Sequence, residues 1–155
     1  MIEIRKSPSA DTRSADHVIT REELEKSTAM HISDVAKAMR FFADLIEEAG
    51  DRHDWTKVEH MDEFYDQFSR AQKTGDWGKG WYDQIHVVKE RHHLKDGCPE
   101  DVDLIDVLEQ ISDCVMAGLA RSGEYRQEEI DPDILKKAYD NTVDLLLSQV
   151  KVKED

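Results

Sequence analysis

Between Thr20 and Gly50 the side chains Leu24, Thr28, His31, Val35, Met39, Phe42 and Ile46 recur at steps of three and four. That is the period of a helix, and a strand cannot put those positions on one face. Thr20 followed by Glu23 forms a capping box, in which hydroxyl and carboxylate take up backbone N–H groups that the first helical turn leaves unpaired. Gly50 is the expected residue just past the end. A helix this long with an apolar stripe has to bury it against other helices, which points to an all-α fold.

The rest of the chain agrees. A second helix is expected over 58–73, with Met61, Phe64, Tyr65 and Phe68 on one side, and a third over about 80–94. The glycine-rich run 73–80 separates them. A fourth helix is expected from about 100 to 121 on the stripe Leu104, Leu108, Ile111, Val115 and Leu119. Asp131-Pro132, an N-cap followed by proline at the first helical position, opens a fifth, with Leu135, Tyr139, Val143 and Leu146 or Leu147 turned inward. No alternating run of strand length stands out. The expectation is a single-domain bundle of about five main helices over 20–150, after a poorly ordered extension at 1–19 carrying Ser7-Pro8-Ser9. A charged tail at 151–155 follows.

With 21 basic and 35 acidic residues in 155, the formal charge is −14. Such a chain lacks the lysines and arginines that non-specific nucleic-acid binding requires. No apolar run reaches the ~20 residues of a membrane span. The start shows no charged region leading into an apolar one, so no signal peptide is expected. Two cysteines, Cys98 and Cys114, make no disulfide framework. Together these point to the cytoplasm; they leave the oligomeric state open.

The charge is uneven. Residues 52–95 hold eight acids and eight bases, and the same window holds five of the seven histidines and all three tryptophans. A neutral, histidine-rich segment in an acidic chain can tolerate an anionic ligand. Trp55, Trp77 and Trp81 could stack on a base, although core packing accounts for them equally well. His17 and His60 read as surface residues.

His31 on the first helix reads, taken alone, as a hydrogen-bonded core histidine. Asp113 alters that reading: it sits beside Ile111 and Val115 on the fourth helix, and a half-buried carboxylate needs a cation, a metal or several donors. His53-Asp54 arrives in the connection after the first helix. Imidazole and carboxylate together suit Mn, Fe, Co, Ni or Zn, with Mg also compatible with the carboxylates. Adjacent His and Asp let one ion take the imidazole and one oxygen while the second oxygen reaches another ion. Two such ions can activate a water for an in-line displacement.

His31, His53-Asp54 and Asp113, in the order H…HD…D, resemble the HD-domain superfamily of metal-dependent phosphohydrolases. His53-Asp54-Trp55-Thr56-Lys57 is similar to its H-D-x-x-K variant. The run through His86, His92-His93, Glu109 and Asp113 also resembles a small HD-related family of bacteria and their phages. Asp96-Gly97 and Pro99 after His92-His93 echo the HD-GYP branch without its GYP tripeptide, which speaks against cyclic dinucleotide cleavage. The resemblance spans about residues 30–125 and implies an HD-like helical domain. By it, His31, His53, Asp54 and Asp113 hold one ion. His86 with His92 or His93, and the far oxygen of Asp54, hold a second.

Lys57 is the candidate for contacting a phosphoryl oxygen or the activated water, and Arg91 a weaker one for the substrate. Either would otherwise be a solvated cation. Glu109, one turn before Asp113, orients a ligand histidine or belongs to an exposed acidic face. The leading expectation is hydrolysis of a small phosphorylated molecule, with nucleotides first, in which Asp54 and Lys57 are catalytic. Two others compete: an HD-fold di-iron oxygenase with the same ligand types, and a non-catalytic acidic helical module that binds a basic partner.

Overall fold

The computed structural model describes residues 1–6, 15, 17–125 and 128–153. Along the chain, β1 (Ile2–Arg5) precedes α1 (Arg21–Arg52), α2 (Trp55–Glu59) and α3 (Met61–Thr74). A π-helical turn over Tyr82–His86 runs into the single turn α4 (Val87–Lys89), followed by α5 (Leu104–Ser122), α6 (Pro132–Gln149) and β2 (Val150–Lys153). The chain is all-α apart from one two-stranded parallel sheet among the described residues. No helix of the described residues is long and apolar enough to cross a membrane. Packing divides the chain into two compact units: Met1–Asp44 with Val143–Asp155, and Leu45–Thr142.

In the first unit, Ile2 pairs with Val150 and Ile4 with Val152. The Lys37 ammonium donates to the Glu3 carbonyl at 2.9 Å and to Asp34 at 2.7 Å. This corrects two expectations. The extension 1–19 begins with a strand, and Val150–Lys153, which overlaps the expected tail, supplies its partner. Both halves alternate, Ile-Glu-Ile-Arg and Val-Lys-Val-Lys, but four residues are too few for the period to stand out. Ser7-Pro8-Ser9, residues 126–127 of the loop after α5, and 154–155 lie outside the described residues.

The α1 start forms as expected: Thr20 N donates to Glu23 Oε2 at 2.8 Å, and Glu23 N donates to Thr20 Oγ1 at 3.3 Å. Its end differs, because the helix continues through Gly50 to Arg52. The expected inward stripes are largely uncovered. Val35, Met39 and Ile46 on α1, Leu108, Ile111 and Leu119 on α5, and Leu135, Tyr139 and Leu147 on α6 are exposed.

The second unit explains where burial goes instead. Its core joins Leu94 and Val102 to Val107 of α5 and Ala138 of α6, so the irregular segment 90–103 covers the inner faces of those helices. Asn141 Nδ2 donates to the Val102 carbonyl at 2.8 Å, and Leu104 N donates to Thr142 Oγ1 at 2.9 Å, satisfying backbone groups that a buried loop would otherwise strand. Asp103 caps α5 by accepting from Ile105 N and Asp106 N, while Asp103 N donates to Asp106 Oδ2 at 3.0 Å.

The helix expected over 80–94 is shorter. Glu90 turns to ψ 117°, ending α4 at Lys89, and its residues 82–86 are π-helical. The turns that follow Glu90 free His92 and His93 from the helical period, with consequences for the site.

Candidate metal centre

Four pieces of the second unit converge. The first is the two-residue turn His53-Asp54 between α1 and α2. Asp54 has φ 57° and ψ 24°, and it is the one non-glycine residue with positive φ among the described residues. Aspartate enters this left-handed region more readily than most residues, and such positions gather at functional sites. The second piece is α2, carrying Thr56 and Lys57. The third is the π turn with the segment after α4, carrying His86, Glu90, His92 and His93. The last is α5, where Glu109 and Asp113 are one turn apart on the same face.

Two buried carboxylates set the ring orientations. Glu109 Oε1 lies 3.0 Å from His53 Nδ1 and 2.9 Å from His92 Nδ1. An ionised carboxylate only accepts, so each Nδ1 carries the hydrogen and each neutral ring keeps a bare Nε2. Glu90 acts on His86 through Thr56. The Thr56 hydroxyl donates to Glu90 Oε1 at 2.6 Å, which leaves its oxygen to accept from His86 Nδ1 at 2.7 Å. Thr56 N donates to the same Glu90 oxygen at 2.9 Å. His86 Nε2 is therefore bare as well.

These lone pairs face more acceptors. His86 Nε2 is 3.4 Å from Asp54 Oδ1, and His92 Nε2 is 3.9 Å from the same oxygen. His53 Nε2 is 3.6 Å from Asp54 Oδ2 and 3.5 Å from Asp113 Oδ1. His93 Nε2 lies 2.9 Å from His86 Nε2 and donates a hydrogen bond to it in the tautomer that carries its proton there. Asp54 Oδ1 and His92 Nε2 are buried without any hydrogen-bond partner. Buried acceptors turned on one another are costly unless a cation lies among them. Ligands at about 2.0–2.2 Å from one ion stand about 3–4 Å apart, which is the spacing found here. One ligand atom from each of His53, His92 and Asp113 falls within 4.8 Å of the others, and so does one from each of His86, His92 and His93. These groups could hold a metal ion, with Asp54 offering one oxygen toward each histidine group.

Charge balance follows from the same contacts. Burial pushes the Asp54 carboxyl up, but the Lys57 ammonium on Oδ2, with His53 and His86, carries it below the usual range. Burial lowers His86 to about 3 and His93 to about 4, keeping both rings neutral near pH 7. Burial also disfavours charge on His92, yet the bond to Glu109 outweighs it and raises that ring. Glu109 is lowered, its burial outweighed by the bonds to His92 and His53.

His53, Asp54, Lys57, His86, His92, His93 and Asp113 are thus together. His31 and Arg91 are not. His31 is exposed on α1, roughly six turns before that helix ends, and belongs to none of the ligand groups. It shares a stripe with later residues but not an end of the helix, and His92 stands beside His53 and Asp113 where His31 was expected. Arg91 is committed to structure: Nε and Nη2 donate to the buried Asp106 at 2.8 Å each, and Nη1 to Asp101 at 2.9 Å. Both His92 and His93 reach the cluster because the helix has ended before them. Trp81 is buried and stacks on His86 at 5.3 Å, a wall of the site. His60, expected at the surface, is half-buried near Trp81. Sequence reasoning missed Thr56 and Glu90; the only trace of the latter is its position four residues after His86.

Among the pockets that Asp113 lines, two also reach the histidines. One is an apolar groove of about 330 Å³ running along Leu108 and Met116 to His53. The other is a polar pocket of about 230 Å³ past His93, Lys95 and Gln110. A larger cavity, about 1050 Å³, lies in the first unit and holds no member of the cluster, so size alone does not mark the chemistry here. No family profile, curated protein or solved structure matches the chain.

Proposed function

We propose that this chain is an HD-type metal-dependent phosphohydrolase acting on a small phosphorylated molecule, with nucleotides the first class to assay. The observation that carries the reading is the meeting of bare imidazole nitrogens with Asp54, two of the facing atoms being buried without a partner. His53, His92 and Asp113 would hold one ion, and His86 and His93 the other, with Asp54 between them. Divalent ions so held supply a water ionised near neutral pH and a positive charge for phosphoryl oxygens.

The chain's own groups do the rest. Glu109 and Glu90 keep the ring nitrogens pointed inward, so the ligands need no rearrangement when the site fills. Lys57, paired with Asp54, places an ammonium where charge on a transferring phosphoryl group has to be offset. Asp113, a third exposed, is the carboxylate nearest solvent and suited to pass a proton outward. Departure from the H…HD…D order at His31 leaves the H-D-x-x-K segment and Asp113 as the parts of the resemblance that support this activity.

The test is metal content of the purified chain, followed by hydrolysis of nucleotides and p-nitrophenyl phosphate with Mn, Co, Mg or Fe. Metal-dependent release of phosphate is expected, and Asp54→Asn should reduce it at least a hundredfold while the helical circular dichroism persists. A chain that binds no transition metal, or stays inert with every ion, ends the proposal. Bound iron with an oxygen-dependent EPR change and no phosphate release would transfer the site to the oxygenase reading.

A further inference from the structure

We infer that the apolar groove beside the cluster binds the organic part of the substrate, and that this part is a small alkyl or aryl group instead of a nucleobase. The inference rests on the phosphohydrolase reading for the head group and narrows its substrate class. Three observations carry it.

The groove ends on the cluster. Its floor is His53, Glu109 and Asp113, and its walls are Ile46, Ala49, Ile105, Leu108 and Met116. A molecule lying along the walls meets the His53 Nε2 and Asp113 Oδ1 pair, 3.5 Å apart, with its inner end.

The walls cannot read a base. Ser112 is their one hydroxyl, and it donates its hydrogen to the Leu108 carbonyl at 2.8 Å. No amide, guanidinium or ammonium lines the groove, so the ring nitrogens and carbonyls of a nucleobase would be desolvated without donors. An apolar group meets no such loss.

The division of polarity orients the ligand. The groove holds no cation, so an anionic head is excluded from it except at the ions. The polar pocket past His93 is lined by Lys95 and Gln110 together with the carboxylates of Asp96, Asp113 and Glu128. Leu108 and Met116 are 44% and 66% exposed, apolar surface that a bound ligand would cover.

The experiment compares phenylphosphonate, methylphosphonate and adenosine monophosphate by calorimetry on the Mn²⁺-loaded full chain, after a titration with Mn²⁺ alone. Phenylphosphonate should bind about tenfold or more tighter than methylphosphonate, and tighter than adenosine monophosphate. Leu108→Asn and Met116→Gln, both at exposed positions, should bring the phenyl-to-methyl ratio close to one without altering Mn²⁺ affinity. Equal affinities in the wild type, preference for the nucleotide, or a ratio that both variants leave intact would overturn the inference. So would a dimer that Leu108→Asn dissociates, since the groove would then belong to a second copy. If the wild type binds neither Mn²⁺ nor another of the ions assayed, the phosphohydrolase reading fails by itself. The groove is then tested on the metal-free chain, where benzyl alcohol should shift the Met116 methyl resonance, and no shift rejects it.

Discussion

Glu109 holds two imidazoles with one oxygen, and that economy makes it the most consequential residue outside the ligands. Its contacts at 3.0 and 2.9 Å decide which nitrogen of His53 and of His92 is free. Glu109→Gln keeps the volume and an accepting oxygen but removes the charge, and it offers the amide a second orientation in which it donates toward the rings. The tautomers are then no longer fixed, and metal affinity should fall about 10–100-fold. Calorimetric titration with Mn²⁺ checks this, and a circular dichroism melt separates it from unfolding. Unchanged affinity would mean that the histidines are oriented by packing alone. Most of the residue-scale site was legible because histidine and carboxylate types at element junctions are few: His53, Asp54, Lys57, His86 and Asp113 could be singled out. The partners that orient them were harder to see. Thr56 and Glu90 are common residue types in ordinary positions, and only burial reveals that they act on His86.

At the scale of elements, the legible parts were those governed by local chemistry. The Thr20–Glu23 box, the Asp131-Pro132 start and the long periods of α1, α5 and α6 depend on neighbours in sequence. What was hidden depends on distant chain: the β1–β2 pairing joins two four-residue segments, and α4 stops where Glu90 turns to reach Thr56. Gly97 shows how tightly the segment after α4 is held. A methyl group there would sit 2.3 Å from the Val87 carbonyl oxygen and 3.1 Å from Val87 Cγ1. The backbone oxygen cannot rotate away, so Gly97→Ala has to push the segment bearing His92 and His93 off α4. A loss of about 1–3 kcal/mol is expected, as for other overpacked sites, together with weaker Mn²⁺ binding. Gly50 is the internal control: nothing lies within 4 Å of a methyl placed there, and it sits within α1. Gly50→Ala should therefore stabilise the chain by about 0.5–1 kcal/mol. Thermal melts of the two variants should move in opposite directions. A neutral Gly97→Ala would show that the segment is looser than its contacts imply.

For the whole molecule, the division into two units puts the sheet in one and the histidine–carboxylate cluster in the other. The ligands and the residues that orient them fall between positions 53 and 113, inside Leu45–Thr142, whereas the sheet belongs wholly to the other unit. Residues 52–95 balance eight acids against eight bases, but Glu109 and Asp113 lie outside that window, so the balance belongs to the segment and not to the cluster as a whole. The separation can be tested through Ile2, which is 8% exposed and paired with Val150. Ile2→Asp puts a carboxylate into that contact, at a cost of about a few kcal/mol for an unpaired buried charge. Hydrogen exchange should then speed up at residues 150–153 and remain slow along α5, and Mn²⁺ stoichiometry and affinity should stay those of the wild type. The second unit has its own core at Leu94, Val102, Val107 and Ala138. If Mn²⁺ affinity dropped along with strand protection, the ligand cluster would depend on the first unit, and its geometry would have to be sought in the chain as a whole.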